Sequence, residues 1–564
     1  MNMRIGGLAS GMDIDTIVAN LMTAEKAKLT KVQQQKQLTV WRQENYYEMN
    51  RALANFVINT KTAFGLAQTA ASGGIVSTSV NRLTWVKSAV ISDEDIADVT
   101  AYANAVKGSY NINVEKLAGN WSSASEAKIS TGATTDLATQ FGIDNGDTIN
   151  FTITTNSGTV TVNETNLADV ALDDIITQIN SANIGVSAIY DTNLDRVFLQ
   201  TTATGEENTV EITDNSVITG GAKFLTGATN LLKMKHLDSN QTYQDITSGV
   251  TYTGTDALFD FGAASNITQS SNTFTVNNVS FTLKATGAAT VTVSTNTNAV
   301  YEKISDFVKS YNALIDEIGA GITETRYSDY LPLSDEQKAE MEEAQITQWE
   351  DKAKSGLLRN DQVLQRMFGN FRSGMYQEVT DVMGIYSHLT SIGITTERYS
   401  SSSLGGKLVI DEVKLRAAIE TDVDSVIELL FKEPSGTLNT KAESQMTSAE
   451  IVQKREESGL IRRLFDIATV GMKEIINKAG VGDDAELYRR VNASILVDFV
   501  IKYGSISMLE KEADDYTTKI DTLNDYLEKT EERYWKKFTA MEKAIDRMNQ
   551  QNTWLVQQFG QENK

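Results

Sequence analysis

The sequence contains no cysteine and very little histidine or proline. Without cysteine the chain cannot form a disulfide, a thiolate metal site or a cysteine nucleophile. Its two histidines, His236 and His388, are too few for a histidine-rich metal site. The two prolines are Pro332 and Pro434, in a chain of 564 residues. These absences remove most of the residue types on which metal and nucleophilic chemistry depend.

Long apolar runs and an excess of positive charge are also missing. No stretch approaches the ~20 consecutive apolar residues that span a bilayer, so we expect no membrane insertion. The N-terminal residues lack an uninterrupted apolar segment and are not expected to act as a secretory signal peptide. Asp and Glu number 74 against 51 Lys and Arg, which gives a net charge of −23. This balance argues against nucleic-acid binding, which needs clustered cations to neutralise phosphate.

The C-terminal residues carry a long apolar seam at coiled-coil spacing. Residues 506–559 contain neither glycine nor proline, and their seam residues recur at intervals that alternate between four and three. One extra interval of four, from Tyr534 to Phe538, is a stutter that locally unwinds a supercoil. The seam residues are Leu509, Ala513, Tyr516, Ile520, Leu523, Leu527, Thr530, Tyr534, Phe538, Met541, Ile545, Met548, Asn552, Leu555 and Phe559. Because one helix cannot bury such a stripe alone, we expect a partner helix.

The predicted partner is a second long helix, between Asp13 as N-cap and about Phe64. Its seam is apolar at both ends and polar from Glu25 to Arg42. The residues in this register are Ile14, Val18, Leu21, Glu25, Lys28, Val32, Gln35, Thr39, Arg42, Tyr46, Met49, Leu53, Phe56, Thr60 and Ala63. Two interpretations of the polar part remain open. Either it is poorly ordered until neighbouring molecules surround it, or it is an ordinary solvated helix face.

The middle of the chain changes to a strand-forming composition. Residues from about 80 to 298 are rich in Thr, Ser, Asn and Val. Asn277-Asn278, between two alternating apolar segments, predicts a two-residue hairpin. Helical periodicity returns at Ala299. The expected fold is therefore a multidomain α+β protein, with a helical coiled-coil stem from both termini and β-rich head domains inserted between them.

We expect four domains in the chain. They are terminal leg helices at 1–42 plus 535–564, a helical stem or body at 43–79 plus 299–534, a β-rich head at 80–130 plus 246–298, and a second head at 131–245.

Few residues have the spacing of a catalytic or metal site. Asp191, Asn193 and Asp195 match the first ligands of a calcium loop, but Arg196 stands where glycine is needed. A turn between two strands explains the same residues. No phosphate-binding glycine-rich motif is present. We therefore expect no catalytic residue, no metal and no cofactor.

Several segments together resemble a known family. GLASGMDIDTIVANLMTAEK at 7–26 and KKFTAMEKAIDRMNQQNTWL at 536–555 resemble the two ends of the flagellar filament capping protein, also called hook-associated protein 2. Residues 108–118, 299–318 and 404–431 resemble further family segments in the same order. Residues 166–202 are similar to a repeat shared by flagellins and cap proteins. No resemblance is seen near 320–356 and 435–457.

The resemblance implies a structural cap at the distal tip of the bacterial flagellum, not an enzyme. Such proteins assemble as rings of roughly four to six copies, and exported flagellin folds and is inserted beneath them. The resemblance further implies extracellular localisation, export by the flagellar type III route without a cleaved signal peptide, and a cytoplasmic export chaperone on the C-terminal helix.

The seams and the family resemblance together predict roles for two sets of residues. Contacts of the legs with the filament or with other subunits are expected at Ile14, Val18, Leu21, Met541, Ile545, Met548, Leu555 and Phe559. Packing of the stem is expected at Tyr46, Met49, Leu53, Phe56, Leu509, Ile520, Leu523 and Leu527. Two alternatives stay open: another flagellar axial protein (flagellin or a junction protein), and an adhesin whose β head binds surface glycans.

Overall fold

The structure is a computed structural model of the chain. It describes residues 11–69, 75–130, 136–144, 146–238, 242–399, 404–441, 445–492 and 495–560.

The chain divides into two compact units. The helical unit joins Met1–Val80 to Thr297–Lys564, and the β unit is Asn81–Asn296. Helices therefore come from both ends of the sequence and strands from its middle, which confirms the predicted fold class.

The helical unit is built from long and short helices with two small hairpins; its elements, like those of the β unit, are numbered along the whole chain. They are α1 (Ile14–Ala63), β1 (Ala67–Thr69), β2 (Ile75–Ser77), α4 (Thr297–Thr323), α5 (Asp335–Ala339), α6 (Glu343–Lys354), α7 (Gln362–Tyr376), β20 (Ile394–Thr396), β21 (Leu408–Ile410), α8 (Glu412–Thr421), α9 (Val423–Phe431), α10 (Ser448–Glu457), α11 (Leu460–Ala479), α12 (Ala485–Val491), α13 (Ile495–Tyr503) and α14 (Met508–Gly560).

The core of the helical unit forms around the second half of α1. Leu53, Ala54, Phe56 and Val57 are all buried there, so α1 is covered on more than one side. Helices α4, α11 and α14 pack against it. The Phe56 ring lies 6.4 Å from the ring of Phe371 in α7, edge to face. This half of α1 is a core helix, in contrast to its polar middle.

The β unit contains antiparallel sheets and two short helices. Its elements are β3 (Lys87–Ile91), β4 (Ala97–Ala101), β5 (Gly108–Lys116), β6 (Ser122–Ser125), α2 (Leu137–Phe141), β7 (Ile149–Thr155), β8 (Gly158–Glu164), α3 (Leu172–Ser181), β9 (Val186–Asp191), β10 (Arg196–Thr201), β11 (Thr209–Asp214), β12 (Met234–Leu237), β13 (Tyr243–Asp245), β14 (Thr251–Thr253), β15 (Ala257–Phe261), β16 (Ala264–Gln269), β17 (Thr273–Val276), β18 (Val279–Leu283) and β19 (Gly287–Thr295).

Two separate apolar clusters divide the β unit into two parts. One cluster lies among the sheets ordered β16-β15-β5-β19-β3 and β17-β18-β4, around Phe259 and Phe281. The other lies among β13-β12-β6-β10-β9, β14-β11-β7-β8 and α3, around Phe151 and Phe224. Trp121 also belongs to this second cluster, which therefore begins before the head boundary predicted at residue 131.

The predicted hairpin at Asn277-Asn278 is present. Phe274 pairs with Phe281 and Val276 with Val279, so β17 and β18 are joined by a two-residue turn. Both asparagines have positive φ, 51° and 60°. This is the conformation that a tight hairpin needs and that asparagine tolerates.

Candidate functional site

The two terminal helices lie side by side and run antiparallel. Thr39 Oγ1 lies 3.4 Å from Glu512 Oε1, and Tyr534 Oη lies 3.5 Å from Glu25 Oε1. A lower number in α1 thus faces a higher number in α14. The partner of the C-terminal helix α14 is therefore α1, from the other end of the same chain.

An apolar cluster joins the beginning of α1 to the middle of α14. Its buried members are Ile14, Val18, Met22 and Leu527, and Leu29, Tyr534, Trp535 and Phe538 pack against them half-buried. Thr16 donates to Asp13 from its backbone N–H, at 3.0 Å, and from its hydroxyl. These bonds lower the pKa of Asp13 and fix the start of α1 here.

The seam position predicted for Leu21 belongs instead to Met22. Leu21 is 38% exposed, whereas Met22 is 7% exposed. The buried residues Ile14, Val18 and Met22 follow one another at steps of four, so a strict alternation of four and three does not hold in this stretch. In a helix with 3.6 residues per turn, each step of four moves the next side chain about 40° around the axis, so the buried face turns away from Leu21 and reaches Met22.

The polar middle of α1 is helical without a break, and its side chains have specific partners. Gln34 Nε2 donates to Pro332 O at 2.9 Å, and Arg42 Nε donates to Leu357 O at 3.3 Å. The Lys354 ammonium lies 5.1 Å from the centre of the buried Trp41 ring. The sequence suggested either a poorly ordered stretch or a solvated helix face, and neither describes the polar middle of α1 fully. Its polar face forms hydrogen bonds to the segment around 331–357. That segment is one of the two in which no family resemblance was seen.

The last turns of α14 extend beyond the cluster with exposed apolar side chains. Met541 and Ile545 are half-buried, and Met548 and Leu555 are exposed. The side chain of Phe559 lies outside the described residues. Trp554 and Val556 are also exposed, and the seam did not include them. In the sequence, the position of Trp554 and Val556 next to Leu555 was the signal by which they could have been included. Within the described part of the chain, this end of α14 has no helix packed on it.

The predicted stem residues lie in the interior of the helical unit or at its edge. Tyr46, Met49, Leu53, Phe56, Leu509 and Leu527 are buried, and Ile520 and Leu523 are half-buried.

A partly buried ion pair that the sequence did not reveal fixes the stem near Tyr46. Lys478 Nζ lies 2.6 Å from Asp361 Oδ2, and the Tyr46 hydroxyl donates to the same oxygen. Burial opposes ionisation of Asp361, but the Lys478 and Tyr46 bonds outweigh it and hold the pKa of Asp361 below its ordinary value. Burial also raises the pKa of Tyr46. Three helices, α1, α7 and α11, meet at these side chains.

A second buried charge joins the ends of two further helices. Arg463 in α11 is 1% exposed, and every acceptor found for it is a backbone carbonyl. It donates to Gly374, Gln377 and Glu378 after α7, and to Arg455, Glu456 and Ser458 at the end of α10, at 2.6–3.3 Å. Burial lowers its pKa to about 10, so it stays cationic at neutral pH. A cation is well placed where two helix C-termini converge.

The possible calcium motif forms a turn. Asp191 accepts the N–H groups of Asn193 and Leu194, and Asp195 accepts from Ser130 and Tyr190. The described residues contain no group of three or more acidic or histidine side chains placed to hold a metal ion. None of the described helices has both the length and the apolar character required to cross a bilayer.

These features define a structural protein with terminal helices that pair around an inserted β region. Such an arrangement agrees with the expectation that the sequence resemblance gave. The sites found are packing and contact surfaces built on long helices.

The comparisons with known proteins identify the family. The model of the flagellar hook-associated protein 2 N-terminus matches residues 10–120, and that of its C-terminus matches residues 254–550. Flagellar hook-associated protein 2 of Halalkalibacterium halodurans is 32% identical over 99% of this chain and 100% of its own length. The protein of the same name from Escherichia coli K12 is 24% identical over 98% of this chain and 97% of its own length. This chain belongs to the flagellar hook-associated protein 2 family, which is a structural family.

A solved structure is also similar. The crystal structure of the D1-D2-D3 domains of the flagellar cap protein from Escherichia coli covers 77% of this chain and 96% of its own chain, at 21% identity and a TM-score of 0.49.

Proposed function

We propose that this chain is the structural cap at the distal tip of a bacterial flagellum, where it holds exported flagellin and promotes its folding and insertion into the filament. The observation that carries the proposal is the uncovered apolar end of α14, with Met548 and Leu555 exposed. Exposed apolar side chains on one end of a long helix are typical of a surface that another helix covers. In a cap, this end enters the top of the filament and packs against its subunits.

The contacts in the middle of the α1–α14 pair support the proposal that the terminal helices form a leg, which can separate from its neighbours and pack against them again. Its contacts at Glu25 and Thr39 are polar and about 3.4–3.5 Å long. A hydrogen bond that is exchanged for water costs only ~0.5–1.5 kcal/mol. A leg held together by a continuous leucine seam would separate far less readily. The polar middle therefore permits the movement that insertion of each flagellin requires.

The proposed partners follow from the same surfaces. The chain assembles into a ring of roughly four to six copies and contacts flagellin beneath it. It travels through the flagellar type III route. Before export, a cytoplasmic chaperone covers the C-terminal helix, since Met548 and Leu555 would otherwise be exposed in the cytoplasm.

The test uses two charged variants of α14 in a cell whose own copy of the gene is deleted. We expect the full chain to restore filaments, and M548E/L555E to leave flagellin monomer in the medium without filaments. Gln550 and Gln557 are exposed and lie about half a turn away from that stripe, so Q550E/Q557E adds the same charge on the opposite face. This matched control should swim normally.

The outcomes separate the cap from the other candidates. Normal filaments with M548E/L555E would contradict the role given to the end of α14. Deleting the gene leaves exported flagellin in the medium if the chain is the cap. A medium without flagellin would mean that the chain is itself the filament subunit.

A further inference from the structure

The β unit contains a joint where its two parts meet. We call these parts the Phe259 part and the Phe151 part, after a buried residue in each apolar cluster. The chain leaves the Phe259 part through residues 117–121, between β5 and β6. It returns through residues 254–256, between β14 and β15. Two compact parts that are linked by short connections are expected to move relative to each other, unless further contacts hold them.

The two connections pair with each other, and a loop of the Phe151 part lies against them. Gly119 and Thr255 exchange two backbone hydrogen bonds, each 2.8 Å long. Residues 202–208, between β10 and β11, form the loop, which we call the Gly205 loop. Its Gly205 N–H donates to Gly119 O at 3.2 Å. The Gly205 loop is therefore bonded to the connection through which the chain enters its own part.

The Gly205 loop also reaches the other side of the joint. Thr204 Oγ1 donates to Ser270 O at 2.7 Å, and Ser270 lies between β16 and β17 in the Phe259 part. The N–H of Glu206 donates to Asp256 Oδ1 at 2.7 Å, on the second connection. The loop thus contacts both connections and the Phe259 part itself. Motion between the two parts would have to break these bonds together.

Glycine makes this close approach of three backbone segments possible. A Cβ on Gly254 would lie 2.6 Å from Gly119 O and 2.7 Å from Gly205 O. A Cβ on Gly205 would lie 2.6 Å from the Cβ and 2.8 Å from the Cα of Ser270. Main-chain atoms cannot rotate away from a clash as the end of a long side chain can. Any side chain at Gly254 or Gly205 would therefore force the segments of the joint apart.

We infer that the Gly205 loop is a latch that holds the two parts of the β unit as one rigid body. Without the loop, the paired connections 117–121 and 254–256 would form a hinge, because a few connecting residues can absorb the rotation of one part against the other. With the loop in place, the same residues are bonded on a third side. The inference concerns the β unit alone and does not depend on the proposed cap function.

The absence of native cysteine allows the distance between the two parts to be measured with two introduced labels. Val90 in β3 belongs to the Phe259 part and is 60% exposed, and Ile189 in β9 belongs to the Phe151 part and is 57% exposed. The full chain with V90C and I189C is labelled with nitroxides, and double electron–electron resonance gives the distribution of distances between them. We expect a single narrow distribution, because the latch permits one arrangement of the two parts.

Adding one methyl group at Gly254 tests the latch directly. Gly254→Ala should make the distance distribution roughly twice as broad or more, because the new Cβ forces the Gly205 loop away from the connections. Gly146→Ala is the matched control in the Phe151 part. A Cβ there would meet nothing within 4 Å, and neither glycine has a positive φ. The control should keep the narrow distribution.

A second variant opens the latch without adding atoms to the joint. T204V/D256A removes the hydroxyl that bonds to Ser270 and the carboxylate that accepts from Glu206. It should broaden the distribution as well, and it decides the question if circular dichroism shows that Gly254→Ala does not fold. A folded Gly254→Ala or T204V/D256A protein with the narrow wild-type distribution would overturn the inference. A wild-type distribution as broad as that of the variants would overturn it too.

Discussion

Replacing Arg463 tests whether a buried cation holds the helical unit together. Arg463→Met removes the guanidinium but keeps an unbranched apolar side chain in its place. The donors that serve six carbonyl groups at the ends of α7 and α10 are then lost. Methionine cannot replace any of them, because it has no N–H group.

The expected cost is a balance of two terms. Hydrogen bonds to a charged group contribute ~1.5–3 kcal/mol each, and burial of the cation offsets part of that sum. Breaking a buried charged arrangement by removing one partner typically costs ~3–5 kcal/mol. Water can reach some of the freed carbonyls once the packing relaxes. We therefore expect Arg463→Met to lower the free energy of unfolding by about 4 kcal/mol.

Urea unfolding followed by circular dichroism measures this change. The measurement is made at a protein concentration where the chain does not assemble, because assembly would add to the apparent stability. The slope increases with protein size, and at ~3 kcal/mol per molar urea the midpoint should fall by about 1.3 M. Arg463→Lys keeps the charge but has fewer donors and no planar fork, so its midpoint should lie between those of Arg463→Met and the wild type.

The neighbouring Arg462 is a matched control on the same helix. Its guanidinium pairs with Glu433 at 2.7 Å near the surface, and such pairs contribute only ~0–1 kcal/mol. Arg462→Met should therefore leave the urea midpoint almost unchanged. If Arg463→Met lies within about 1 kcal/mol of Arg462→Met, the carbonyl contacts of Arg463 do not stabilise the unit and the reasoning is refuted.

Two further predictions concern Asp361 and the contact between α1 and α14. The pKa of Asp361 is lowered in the folded chain, so its stabilisation is present above 3.8, the ordinary value, and is lost as the pH falls through the lower folded value. The urea midpoint of the wild type should therefore fall more steeply below pH 3.8 than the urea midpoint of Asp361→Asn. Parallel plots of the two midpoints against pH would contradict this prediction. Met22→Ala should cost about 2–3 kcal/mol of local stability and Leu21→Ala less than ~0.5, because Met22 is the buried residue of the two. Hydrogen exchange of the first turns of α1 measures both, and equal losses of protection would show that the seam is wrongly placed.

The sequence predicted the helical and β regions because their patterns are periodic. The stem residues Tyr46 and Leu53 and the hairpin at Asn277-Asn278 follow from spacing and turn chemistry alone. Spacing could not decide between Leu21 and Met22, since both are apolar and adjacent. That choice depends on which face of α1 lies against the partner helix, and only the packed pair determines this.

The charged contacts were beyond prediction for a different reason. Arg463 binds Gly374, which is 89 residues away in sequence, and Lys478 binds Asp361 at a separation of 117. Nothing in the local sequence distinguishes these side chains from the solvated Lys and Arg around them. Burial of a charge depends on which segments meet in space, and tertiary packing sets that arrangement.

The two helices remain in contact through the stutter at Tyr534–Phe538. Tyr534 and Phe538 both pack on the cluster of Ile14, Val18 and Met22. A step of four compensates for the drift of the preceding heptads, so it keeps the seam directed at α1. The contact weakens where α1 begins, at the Asp13 cap, and Met548 and Leu555 lie past that point. Among the described residues, the start of α1 rather than the stutter therefore marks the end of the contact between the two helices.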